Sequence, residues 1–224
     1  MSTILAIETS TEIASVALLH DGKLWQQAAS GVQNHSLSVL PMVQSLLQQA
    51  ALTLADCHAI AFGAGPGSFT GVRTACGLAQ GLAFGLNLPV LPVSTLLALA
   101  EGMRQARSGA DMVMPVLDAR MGEVYWAQYR YQDGWQEVHA PALAKPQDLV
   151  CDLQQVAPCG NGASLCGFDI GEAPQLPHAA QIAQLGALAL AQGLGLDAAQ
   201  AQPFYLRNKV AQTSAERLQN RGAA

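Results

Sequence analysis

Residues 63–73 read GAGPGSFTGVR, an apolar strand that runs into glycines and then into a helix. A turn of this kind either cradles a phosphate or only starts the helix. The stretch fails both common phosphate tests. A Walker loop needs Gly-x4-Gly-Lys-Ser/Thr, with the lysine on the terminal phosphates, and no lysine stands between Lys23 and Lys145. A dinucleotide fingerprint needs GxGxxG, whereas Gly65, Gly67 and Gly71 are spaced GxGxxxG with Pro66 in the first gap. A P-loop enzyme is therefore excluded. Two readings stay open: the free N–H groups around Ser68 and Thr70 hold an anion, or a hydroxyl simply caps a tight strand-to-helix turn.

The helix predicted over 70–86, ended by Asn87 and Pro89, carries Gly77, Gly81 and Gly85 at every fourth residue, hence on one stripe. Each costs roughly 0.5–1 kcal/mol against alanine in a helix interior. Close approach of another backbone is the reason that fits three of them. Val72, Ala75, Leu78, Leu82 and Leu86 make the other faces apolar, so the helix is expected to be buried on both sides. It belongs either to this chain's own core or to an interface with a partner.

Outward from there the pattern is one of strands followed by helices. Residues 4–9 and 13–19 alternate like strands, and His20-Asp21-Gly22 turns into a third strand near 24–29. A helix is predicted over 36–52, with Leu40, Val43, Leu47 and Ala50 on one face and Val39, Met42 and Leu46 widening the arc. Ser38 is the expected cap of a first turn containing Pro41. A strand at 59–62, another at 89–93 and a third helix to about Arg107, capped by Ser94 or Thr95, complete the first round. The second round has strands at 112–117, 123–131 and 135–139, a strand-like run at 156–165, a break at 174–177 and an Ala/Leu-rich helix over 179–193. Two rounds of similar plan predict an α/β protein of two lobes. The expected division is 1–108 for the N-terminal lobe, 109–212 for the C-terminal lobe and 213–224 for a polar, flexible tail.

Of the 224 residues, 50% are hydrophobic and 12% charged, against roughly 25% charged in an average soluble domain. So few charges suggest that part of the surface is covered by another subunit. A net charge of −5 argues against this chain gripping RNA or DNA by itself, since phosphate binding needs a basic patch. No apolar run approaches the ~20 residues of a membrane span, and the N-terminus lacks an export signature. The five cysteines form no CxxC. Reduced thiols and a cytoplasmic location are expected.

Catalytic groupings are scarce. The five histidines are scattered, with no HxxxH or HExxH pair, so neither a metal nor a cofactor is expected. His35 lies in a polar segment and suits the surface or a helix start. Glu8 and Asp118 each end an apolar strand, where catalytic acids and buried capping carboxylates both occur. Arg73, Arg120 and Glu123 interrupt apolar stretches, so they pair with one another or face a partner.

Several segments together carry a family resemblance: ILAIETST at 4–11, HSLSVLPMV at 35–43, GPGSFTGVR at 65–73 and GLAQGLA at 77–83, with VSTL at 93–96, DARMGEVYWAQY at 118–129 and PFYLRN at 203–208. The chain resembles the TsaB family (formerly YeaZ), accessory proteins of N6-threonylcarbamoyladenosine (t6A) synthesis in bacterial tRNA. The resemblance implies a two-lobed fold of the actin, Hsp70 and sugar-kinase type. It also implies partners: a catalytic relative, TsaD, and a small ATPase, TsaE, with tRNA met only through the complex. The partner interface would lie on the helices at 36–52 and 70–86, through Val39, Met42, Val43, Leu46, Arg73, Gly77, Gly81 and Gly85. Alone, the same surface would suit a homodimer.

The departures from TsaD-like proteins point to a non-catalytic subunit. Where the relative has a metal-binding histidine pair, this chain has VSTLLALA at 93–100. Where the relative has a Ser-Gly-Gly-His-Thr phosphate loop, it has Asp118-Ala119-Arg120-Met121-Gly122. Where the superfamily has an Asp and a glycine-containing turn, it has Glu8-Thr9-Ser10. Glu8, Ser10, Asp118 and Arg120 would then line a vestigial nucleotide cleft. The rival expectations are a peptidase-like or kinase-like enzyme, or a nucleotide-binding switch within the complex.

Overall fold

The structure, a computed structural model, describes residues 2–31, 35–149, 152–153, 155–173 and 176–207. The tail at 213–224, the residues just before His35 and Pro174 lie outside them. Two sheets form the frame. The first takes the order β3-β2-β1-β4-β5 from β1 (Thr3–Glu8), β2 (Ile13–His20), β3 (Lys23–Ser30), β4 (Ala59–Gly65) and β5 (Val90–Ser94). β1, β2 and β3 run antiparallel, while β1, β4 and β5 run parallel. The second takes the order β8-β7-β6-β9 from β6 (Met112–Arg120), β7 (Glu123–Tyr131), β8 (Trp135–Ala144) and β9 (Ala157–Cys159). The helices are α1 (His35–Ala50), α2 (Phe69–Leu86), α3 (Thr95–Ala106) and α4 (Ala179–Ala191).

Local chemistry sets the turns. Asp21 (φ 48°) and Gly22 (φ 77°) make the two-residue β2–β3 hairpin, the left-handed pair that matches the twist of its strands. Ser68 caps α2 by accepting from Gly71 N–H, and Asn87 ends it in the left-handed region. Ser94 caps α3. Ser38 is not a cap: α1 begins at His35, and the Ser38 hydroxyl donates to the His35 carbonyl at 3.3 Å. The strand expected over 156–165 stops at Cys159. Gly160, at φ 100°, and Gly162 press their backbones against Val116 and Leu117, and the chain turns there.

β1 is buried on both faces, so residues 4–7 form a continuous apolar run rather than the alternation expected of a half-buried strand. Leu5 and Ile7 face α1 and α2, whereas Ile4 and Ala6 face α4. The division at 108 therefore does not separate two independent cores. α4, from the last part of the chain, covers the first sheet through Ala179, Ile182 and Ala183. α3 turns Leu96, Leu99 and Met103 to the second sheet. The two rounds of sequence interlock.

One expectation about the interface is overturned by this packing. Val39, Met42, Val43 and Leu46 are not partner-facing: all four are buried in the chain's own core, where α1 lies on β2 and β3. Their periodicity reflected that contact. The solvent face of α1 instead carries Leu37, Leu40, Pro41 and Gln44.

Candidate functional site

Between the two sheets lies an open cleft of about 340 Å³. The β1–β2 turn at Ser10 and the β4–α2 turn form one wall, and the β6–β7 hairpin at Asp118 and Arg120 forms the other. The segment 204–207 closes one side. The structure thus gathers Ser10, Asp118 and Arg120 at the cleft, but not Glu8. Glu8 is fully buried behind the wall, with Ser10 N–H donating to Oε1 and its Oε2 fitted over Gly63. A Cβ at residue 63 would stand 1.8 Å from that oxygen. Burial pushes the Glu8 carboxyl up to about 7, against weaker pull from its hydrogen bonds.

The glycine-rich turn is spent on the chain's own packing. A Cβ at Gly71 would meet the Thr9 carbonyl at 2.0 Å, and one at Gly67 would meet Ser10. Ser68 N–H donates to the Ser10 carbonyl at 2.7 Å, and the Thr9 hydroxyl donates to the Gly71 carbonyl at 2.7 Å. The turn clasps the β1–β2 turn, which fits the capping reading. The cationic groups of the cleft are engaged as well. Arg120 donates to Asp118 at 3.0 Å, and Asp118 Oδ1 accepts Arg120 N–H at 2.7 Å. Arg207 pairs with Glu123 and donates to the Ala119 carbonyl at 3.1 Å. Among the described residues, no group of three or more His, Cys, Asp or Glu side chains could hold a metal ion. Burial pushes the Cys57 thiol up to about 11 and raises that of Cys159 further, and all four described cysteines are free thiols.

The second candidate surface is the outer face of α2. Among the described residues, a Cβ at Gly77, Gly81 or Gly85 would meet nothing within 4 Å. The stripe faces away from the described residues, contrary to a helix buried on both sides. Exposed Phe69, Arg73 and Phe84 flank it. The Arg73 guanidinium lies 3.6 Å from the centroid of the Phe69 ring and donates through Nε to the Tyr205 hydroxyl at 2.7 Å. The sequence reading missed the Phe69 and Arg73 contact, although their i, i+4 spacing signals it. Tyr205 and Arg207 were missed as site residues, because nothing local in PFYLRN says where that segment docks. Phe204 sets it, donating its N–H to the Ala64 carbonyl at 2.7 Å.

A family model described as "TsaD: tRNA N6-adenosine threonylcarbamoyltransferase" matches residues 23–165. The tRNA threonylcarbamoyladenosine biosynthesis protein TsaB of Escherichia coli (strain K12) is 39% identical, over 93% of this chain and 96% of that protein. The chain belongs to the TsaB family. TsaB of Haemophilus influenzae is 37% identical over 93% of this chain and 94% of its own length. Among solved structures, YeaZ from Pseudomonas aeruginosa is 40% identical with a TM-score of 0.84, covering 92% of this chain and all of that one. The two-lobed fold implied by the TsaB resemblance is present as two mixed sheets with helices. No described helix is long and apolar enough to cross a membrane.

Proposed function

We propose that this chain is a non-catalytic accessory subunit of t6A synthesis in tRNA, docking on a TsaD-like catalytic subunit and working with a TsaE-like ATPase. Its relatives' names place them in that biosynthesis. The observation that carries the docking step is the outward glycine stripe. Three helix-interior glycines weaken an isolated helix by about 1.5–3 kcal/mol in all, and among the described residues they pack against nothing. A partner helix approaching closely at Gly77, Gly81 and Gly85 supplies the compensation. Leu37, Leu40 and Phe84, all exposed, would be covered with it. Alone, the same face suits a homodimer. With a net charge of −5, the chain leaves tRNA contact to its partners.

The test is co-purification of the full chain with the TsaD-like and TsaE-like proteins of the same genome, followed by assay of tRNA modification. The expected result is a stable complex whose activity requires this chain, while the chain alone modifies nothing. Activity of the other two proteins without it would overturn the reading. The open cleft favours one alternative, a nucleotide switch. Asp118 occupies Arg120, and Glu123 occupies Arg207, so phosphate would have to displace a carboxylate from either. Titration of the isolated chain with ATP and Mg²⁺ is expected to show weak binding at most, and micromolar affinity would favour the switch.

A further inference from the structure

α1 and the outer face of α2 are almost without charge. Arg73 is the only Asp, Glu, Lys or Arg in either helix. It is exposed, and among the described residues no carboxylate lies within ion-pair distance of it. Its side chain is nonetheless fixed. Phe69, one turn earlier, supports the guanidinium plane, and Tyr205 takes the Nε–H. The two terminal nitrogens form no hydrogen bond among the described residues. A guanidinium held by its Nε and one face presents its remaining fork end-on, the shape that accepts a carboxylate through two parallel bonds.

We propose that Arg73 is the anchor for a single carboxylate, an Asp or Glu, on the helix of the partner subunit that packs against the glycine stripe. The proposal rests on the docking reading above and names the chemical group the partner brings. Arg73, Gly77 and Gly81 follow one another at i, i+4 spacing on the same face. A helix close enough to touch the glycines sets a residue one turn along within reach of Arg73. Covering Arg73 without a counter-charge would be strongly unfavourable, so a partner for this face has to carry an acid there. No acidic residue of α1 or α2 opposes it, and the positive end of α2 lies on the same side. The aromatic supports fix the rotamer before docking, which lowers the entropy lost on binding.

Calorimetry of the full chain with the TsaD-like subunit of the same genome, at low and high salt, tests this. Arg73→Gln should weaken binding about tenfold or more and flatten its salt dependence, with the melting temperature of the isolated chain unchanged. Arg73→Lys should restore the salt dependence but only part of the affinity, because it lacks the fork. Tyr205→Phe should weaken binding less than Arg73→Gln. Changing exposed acids on the partner's facing helices to Lys should identify one that rescues Arg73→Glu. If the wild-type chain binds while Arg73→Gln binds equally well, the anchor is refuted and the docking reading survives. If the wild-type chain does not bind at all, both fall. If Arg73→Gln binds its partner normally but the assembled complex retains tRNA less well, Arg73 faces RNA and the proposal is overturned.

Discussion

Glu8 shows how a single carboxylate escaped a sequence-level assignment. Its place at a strand end fits a cleft acid or a buried cap equally. The choice is made by Gly63, whose missing Cβ admits the carboxyl into the sheet, and no local pattern reports that pairing across β1 and β4. The consequence is a pH-dependent stability. In the unfolded chain Glu8 loses its proton near 4.5, in the folded chain near 7. Between those values the folded state holds the proton longer, so its stability falls as pH rises. The contribution is fully present below about 4.5 and gone above about 7, a loss on the order of 3 kcal/mol. Glu8→Gln keeps the shape and an acceptor for Ser10 N–H while removing the charge. Denaturant midpoints measured across this range should fall for the wild type relative to Glu8→Gln. Parallel curves would mean that water reaches the carboxylate.

Elements were the most legible level. Strand and helix types, the Asp-Gly hairpin, the Ser68 and Ser94 caps and the Asn87 stop all follow from turn and cap chemistry. What periodicity could not say was which part of an apolar arc faces home. α1 has an arc wide enough for both answers, and its strongest apolar positions belong to the core. α2 separates two kinds of glycine that look alike in sequence. Gly71 is pressed on the Thr9 carbonyl, so Gly71→Ala should lower stability by roughly 1–3 kcal/mol. Gly81 opens to solvent, so Gly81→Leu should raise the melting temperature of the isolated chain slightly, since leucine is the better helix former. The same substitution should abolish co-purification with the catalytic subunit. Thermal melts paired with pull-downs check both, and a destabilised Gly81→Leu that still binds would return the stripe to the chain's own core.

At the scale of the whole molecule, two rounds of strands and helices were visible in sequence, but their interlocking was not. A helix such as α4, apolar on most of its surface, fits either sheet, and only the assembled fold assigns it to the first. Residues 1–108 expressed alone should therefore fail to fold, because Ile4, Ala6, Ala61 and Leu91 lose their cover. Circular dichroism and a melt of that fragment decide it, and a soluble fragment with a cooperative transition would show that α4 is dispensable. The return of α4 also has a consequence during synthesis. Ile4 is synthesised 178 residues before Ile182 (182 − 4). At roughly 5–20 residues per second, the interval between them is about 10–35 s. For that time Ile4 and Ala6 lack the helix that will cover them, so the growing chain keeps apolar side chains unburied until α4 is made.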